Sequence, residues 1–308
     1  MRDALNRRDF VKLGAGSLAT LAVPLTVGEA PAADRKRNIK KAIMYATISY
    51  PGTVPGTVME KFKACKAAGF EGVEPMSHMN QDQVLKALET TGLKAASVCC
   101  STHWDKPLSD AREKIRREGF EGLLQALKDA KRYGASSVLL VPGIVKDKVT
   151  YEDCFARCVA EIRKAVPHAR DLGVKIAIEN VWNNFITKPE QAKDLLDAID
   201  SDQVGWHFDI GNVVRYSDPE TWIPVLGKRI LKLHVKEYSR DKAKQLLDLR
   251  EGFNVRLLEG SNHWPAILKA LDDVGYEGWG ISEQPGAQSK DEAALKDLAT
   301  RMDRIFAS

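Results

Sequence analysis

The 308-residue chain lacks any strong excess of one charge. Lys+Arg 46 against Asp+Glu 42 gives a formal charge of +4. The small excess is spread along the sequence, which argues against nucleic acid or a membrane surface as partner. Cysteine is scarce: Cys65, Cys99, Cys100, Cys154 and Cys158 are odd in number and scattered, so no disulfide framework is expected. Cys99 and Cys100 lie in an apolar run and read as buried thiols. Cys154 and Cys158 are four apart on one helical face, a poor geometry for pairing. Long apolar runs are missing too, which excludes a polytopic membrane protein, and no repeat or biased tract suggests disorder. No G-x-G-x-x-G follows the first strand candidate, which speaks against an open nucleotide-binding sheet. What remains is ordinary: 44% hydrophobic and 29% charged residues, mean hydropathy −0.30. That length allows two domains, but an α/β barrel commonly uses about 250 residues as one.

The N-terminus has its own character. Arg7-Arg8 is followed by Asp9, Phe10, Val11 and Lys12, then by a weakly apolar run from Leu13 to Val27, then by Ala30-Pro31-Ala32. This resembles a twin-arginine export signal with a small-residue cleavage site. The run is too short and too rich in Gly, Ala and Thr for a span of about 20 apolar residues. No cysteine follows it for lipid attachment. Residues 1–33 are therefore expected to be removed on passage through the twin-arginine translocase. The mature chain, 34–308, is expected in the periplasm with no stable membrane anchor.

Beyond residue 40 short apolar runs alternate with amphipathic stretches. Strand candidates are 42–48, 72–75, 94–100, 137–141, 174–180, 204–210, 230–235 and 279–283; helical patterns between them include 58–68, 81–91, 114–133, 155–170, 189–199 and 265–274. Gly69, Gly92, Gly134, Gly173 and Gly275 stand where helices should end. Regular alternation with apolar strands predicts a parallel sheet covered by helices. Eight units predict a single-domain α/β fold, the closed (β/α)₈ TIM barrel.

In such a barrel chemistry sits where strands end and loops begin. Glu179, Asp209, His234 and Glu283 each stand at a strand's C-terminal end, the first three directly after an apolar residue, spaced 30, 25 and 49 residues apart. Adjacent strands lie about 4.8 Å apart, so four inward side chains would converge. Three carboxylates and an imidazole suit one divalent cation such as Mn²⁺, Mg²⁺ or Zn²⁺. Glu74, His103, Trp104, Asn180, Trp182 and Asn183 also stand near strand ends, and an aromatic beside polar groups suits a sugar. Lys232 shares strand parity with His234, with a salt bridge as much expected there as a catalytic role.

The segments IENVWNNF, HFDIGN, LKLHVKEYSR, LLEGSNHWPAIL and GWGISEQ resemble the sugar phosphate isomerase/epimerase family, the xylose isomerase-like barrels, over about residues 42–285. The most specific parts are the Glu–Asp–His–Glu set and the turn of Glu259, Gly260 and Trp264. The resemblance implies one bound ion, Mn²⁺ preferred over Mg²⁺, Co²⁺ or Zn²⁺. It makes Glu179 and Glu283 an acid/base pair as well as ligands, with Asp209 and His234 as ligands only. Arg240 falls where such enzymes place a substrate-contacting arginine. Asn212 and Glu259 join Glu74, His103, Trp182 and Asn183 as expected substrate-binding residues. The sequence departs from the family twice: Asn212 replaces the histidine of Asp-x-x-His, and Phe185 replaces a substrate-binding glutamate.

The implied reaction is proton abstraction beside a carbonyl through an enediolate, and the expected export argues for a non-phosphorylated sugar or sugar derivative as its substrate. Returning the proton on the opposite face inverts a centre, and returning it to the neighbouring carbon isomerises aldose and ketose. A lyase or hydratase acting on a 3-keto-sugar begins with the same enolisation and is the alternative. An endonuclease IV-like repair enzyme would need extra histidines and a concentrated basic face. A non-catalytic sugar-binding barrel would be signalled by a missing ligand, and none is missing. A small sugar is the expected partner, with a homo-oligomer left open.

Overall fold

The computed structural model describes residues 37–308 apart from 50, 51, 147 and 285. The expected export signal over residues 1–33 lies outside them. Nine strands, all paired in parallel, build the sheet: β1 Ile39–Met44, β2 Gly72–Glu74, β3 Lys94–Ala95, β4 Val98–Cys99, β5 Ser137–Leu140, β6 Lys175–Glu179, β7 Val204–Asp209, β8 Ile230–Val235 and β9 Gly278–Ser282. Their order is β3-β2-β1-β9-β8-β7-β6-β5-β4. The stretch 94–100, expected as one strand, is β3 and β4 with Ala96-Ser97 between them. β3 pairs with β2 and β4 with β5, so this stretch changes partner midway. A parallel bridge from Met76 to Cys99 and the bond from Cys99 N to Pro75 O (2.9 Å) join the two edges. Eight strand units therefore form a (β/α)₈ TIM barrel.

The first strand begins earlier than its apolar run suggested. It covers Ile39–Met44, because Ile39 to Ile43 pair with Gly278 to Ser282 of β9. Tyr45–Ile48, expected as strand, is a 3₁₀ turn in which Thr47 Oγ1 donates to Met44 O (2.8 Å). Strands sandwiched between barrel interior and helices are buried on both faces, as all six residues of β7 are. Helices cover the outside, with Phe62, Leu123, Ile162, Leu195, Trp222, Ile267 and Leu298 in the main apolar core. The five glycines expected to end helices all have positive φ. Helices at Ile210–Val214, Pro219–Leu226, Arg240–Gln245 and Glu292–Ala307 escaped the sequence reading. The first and third are too short, at five and six residues, to show a period. Among the described residues no helix is long and apolar enough to cross a membrane.

The long connection after β8 is tied down by one buried carboxylate. Glu237 Oε2 accepts from Leu258 N (2.8 Å) and Trp264 Nε1 (2.8 Å), and Oε1 accepts from Asn262 N (3.0 Å). A Cβ on Gly260 would lie 2.6 Å from Glu237 Cγ, so this turn requires glycine. The Glu-Gly-x-x-x-Trp motif is thus an anchor for the connection that overhangs the barrel mouth.

Candidate metal centre

Strands β9, β8, β7 and β6 are neighbours in the sheet, and Glu283, His234, Asp209 and Glu179 stand in that order at their C-terminal ends. Register sets Asp209 beside His234, and Glu283 N bonds Val235 O (3.3 Å). His234 Nδ1 lies 2.8 Å from Glu179 Oε1, 3.5 Å from Glu283 Oε2 and 3.8 Å from Asp209 Oδ2. One ligand atom from each of the four lies within 4.8 Å of the others. Donors facing each other across a cation with ligand distances of about 2.1–2.4 Å are separated by about 4.2–4.8 Å, so the donor set fits one divalent ion. The carboxylate oxygens and single imidazole suit a hard or borderline cation.

Hydrogen bonding holds the ligands still. Asp209 caps the short helix behind it, accepting from Asn212 N (2.8 Å) and Asn212 Nδ2 (2.7 Å). Asn180 stitches the ends of β6 and β7: its Nδ2 donates to Asp209 O (2.8 Å), and its Oδ1 accepts from Asp209 N (3.1 Å) and Trp206 Nε1 (3.0 Å). Asn212 therefore bonds the aspartate that it follows, where a histidine was expected from the family pattern.

The residue missed by the sequence reading is Lys236. Its ammonium reaches Glu283 Oε2 (2.5 Å), Asp209 Oδ2 (3.3 Å) and Asn212 Oδ1 (3.4 Å). A Cβ on Gly211 would sit 2.9 Å from Lys236 Cβ, so the glycine makes room for it. A signal existed, because Lys236 is two residues past His234 and shares its face. The field is strongly polarised. Burial pushes the Glu179 carboxyl up and Asp209 up to about 8. Burial acts the same way on Glu283, but Lys236 and then His234 outweigh it and hold that carboxyl well below the usual range. His234 is pulled down by burial, yet Glu283, Glu179 and Glu74 raise it well above an ordinary imidazole.

A cavity of ≈ 360 Å³ opens onto the cluster, lined by Glu179, Glu283, His103, Trp182, Asn212 and Lys236, with Trp104, Arg250 and Phe253. His103 is neutral there, pushed down to about 3 by burial, and its Nδ1 accepts from Val141 N (3.2 Å). Trp182 donates to Asn212 O (2.9 Å) and packs on Phe253 with centroids 4.7 Å apart. Arg250 and Phe253 come from a 3₁₀ turn, Leu249–Phe253, with no periodicity to announce it.

Other expected residues lie elsewhere. Asn183 does not line the cavity; its amide is spent on Gly143 O and Phe185 N. Arg240 donates to Val214 O (2.9 Å), Ser217 O (3.0 Å) and Asp218 Oδ1 (2.8 Å), and lines a separate surface cavity with Arg215 and Tyr238. Glu259 pairs with Arg256 and Arg301 at 2.9 and 3.0 Å. Glu74 is fully buried beneath the cluster rather than in the cavity. Lys232 points to the barrel's other end, onto Ser136 Oγ (2.9 Å). All five cysteines are buried and free, and Cys154 and Cys158 pack where Gly143 leaves space.

Residues 62–305 match the family model described as "Xylose isomerase-like TIM barrel". An uncharacterized protein of Methanocaldococcus jannaschii is 24% identical over 174 residues, 54% of this chain and 56% of its own, so the chain spans about half of that relative. An inosose dehydratase of Clostridium perfringens is 25% identical over 253 residues, 74% of this chain and 84% of its own. Among solved structures, the apo 3-keto-D-glucoside 4-epimerase of E. coli superposes with a TM-score of 0.72 at 15% identity, covering 87% of this chain and 98% of that one. A zinc-bound protein named IOLI superposes at 0.71 with 18% identity, covering 87% and 98%. At such identities the structures establish the fold.

Proposed function

The chain belongs to the xylose isomerase-like TIM barrel family, and from that premise we propose that it is a metal-dependent sugar isomerase or epimerase. The observation that carries this reading is the convergence of Glu179, Asp209, His234 and Glu283 within 4.8 Å at the barrel mouth. Bound there, a divalent cation would polarise a carbonyl and its neighbouring hydroxyl and lower the barrier to loss of the adjacent proton.

The chain's own residues supply the proton chemistry. Glu179 and Glu283 stand at opposite ends of the four-strand arc, with Asp209 and His234 between them. Their surroundings push them apart: burial raises Glu179, while Lys236 keeps Glu283 ionised despite burial. Such divergence suits an acid and a base, with Glu283 accepting a proton and Glu179 delivering one. Trp182, Phe253 and Trp104 offer ring faces for sugar C–H groups, and Asn212 and His103 offer polar atoms. We take the substrate to be a non-phosphorylated sugar or sugar derivative, and the site of action to be the periplasm, on the strength of Arg7-Arg8 and the small-residue site at Ala30-Pro31-Ala32.

A second reading, a lyase acting on a keto-sugar, is favoured by the inosose dehydratase that matches 74% of this chain. Both begin by removing the same proton. Incubation of keto- and aldo-sugars with protein and Mn²⁺ in D₂O should give carbon-bound deuterium for the right substrate. Product analysis then separates inversion, isomerisation and water loss. Glu179→Gln or Glu283→Gln should still bind metal, more weakly, yet lose exchange by about 10²–10⁴-fold at saturating metal. Near-normal exchange in both variants would refute the two-glutamate assignment.

A further inference from the structure

Glu74 ends β2, next to the barrel axis, and its side chain is fully buried behind His234. His234 is held from both sides: Nδ1 meets Glu179 Oε1 at 2.8 Å and Nε2 meets Glu74 Oε2 at 3.1 Å. A neutral imidazole carries a single ring hydrogen, so when the nitrogen turned to the cation seat keeps its lone pair, Nε2 holds that hydrogen and donates it to Glu74 Oε2. The other nitrogen, Nδ1, is the one turned toward Glu179, Asp209 and Glu283.

We propose that Glu74 is a positioning residue: it holds the His234 ring in its Nε2–H form and aims the Nδ1 lone pair at the cation seat among Glu179, Asp209 and Glu283. This rests on the reading of those residues as a metal centre. Glu74 also stands with His207 and His234 in a buried group whose ligand atoms lie within 4.8 Å of one another. Its Oε1 has no hydrogen-bond partner, and neither has either ring nitrogen of the fully buried His207. His207 Nδ1 lies 3.9 Å from Glu74 Oε1, and its ring stands edge-on to His234 with centroids 4.2 Å apart. The His207 ring therefore walls in the His234 ring, while the carboxylate sets its proton. A carboxylate behind a ligating imidazole fixes its tautomer and raises its basicity, and losing it costs about 10–100-fold in metal affinity.

The test uses the full barrel loaded with Zn²⁺ as a diamagnetic probe, with ¹⁵N-labelled histidine; the chain has only 6 histidines. Wild-type protein should bind one Zn²⁺ and show His234 protonated at Nε2 with Nδ1 on the metal. Glu74→Gln should keep its circular dichroism, bind Zn²⁺ about 10–100-fold more weakly and shift or lose the Nε2–H signal. Glu74→Asp should restore part of the affinity. A wild-type His234 bound through Nε2 would overturn the proposal, and that measurement needs no variant. So would wild-type Zn²⁺ affinity in Glu74→Gln. Two Zn²⁺ per chain, one of them lost in His207→Asn, would place an ion between Glu74 and His207 and overturn it as well. A wild-type protein that binds no divalent ion would instead sink the metal reading, and this inference with it.

Discussion

Lys236 offers the sharpest test of how the acidic cluster is balanced. Its ammonium, 11% exposed, sits against the fully buried Asp209 and the 23% exposed Glu283. In Lys236→Met the unbranched stem survives and the charge does not. Without metal, His234 would then be the cation left in contact with Glu179, Asp209 and Glu283 among the described residues. Removing one partner from a buried charge network costs about 3–5 kcal/mol, and solvent access at Glu283 argues for the lower end, about 3 kcal/mol. For a domain of this size that corresponds to a melting temperature lower by about 6–12 °C. A divalent ion supplies the missing charge, so the variant should recover most of this loss in saturating Mn²⁺ and bind Mn²⁺ more tightly than wild type. The assay is thermal unfolding of wild type and variant, each after chelation and each with excess Mn²⁺. An equal deficit in both conditions would refute the idea that the ammonium stands in for a cation, and would make Lys236 a packing residue.

Asn180→Ala should cost about 3 kcal/mol in urea unfolding, because it strands buried partners at Asp209 and Trp206, and it should weaken Mn²⁺ binding measured by calorimetry. His103 titrates in the fold at about 3, below the ordinary imidazole at 6.5, so the unfolded chain takes up its proton first. The stability it contributes is complete above pH 6.5 and falls as pH drops toward 3, by up to about 1.4 kcal/mol per pH unit. His103→Asn should flatten this acid limb in urea midpoints measured between pH 6.5 and 4.5, leaving a residual slope from His207, which burial also lowers. Replacing Arg7 and Arg8 by Lys should leave unprocessed precursor in the cytoplasm, and fractionation showing mature protein outside the inner membrane would contradict the export reading.

Much of the barrel was legible in the chain because its signals are local. Apolar runs such as 137–141, amphipathic periods such as 81–91 and the glycines that end helices are decided within a few residues. The four convergent ligands were legible for a related reason: alternation along a strand and a known place for strand ends are enough to aim Glu179, Asp209, His234 and Glu283 at one point. Where a side chain goes once it leaves the strand end depends on what the rest of the chain places beside it. Arg240 is drawn to carbonyls at Val214 and Ser217 and to Asp218, Glu259 to Arg256 and Arg301, and Asn183 to Gly143, all away from the cavity. Glu74 looked like a residue of the mouth and is instead fully buried, with its carboxylate against His234 Nε2 on a strand that is not its neighbour in the sheet. The split of the third strand, the anchoring of the long connection on Glu237 and the meeting of Lys236 with Glu283 likewise depend on partners tens of residues away. Closing the ring brings these partners together, and no pattern within one segment encodes a distance between two.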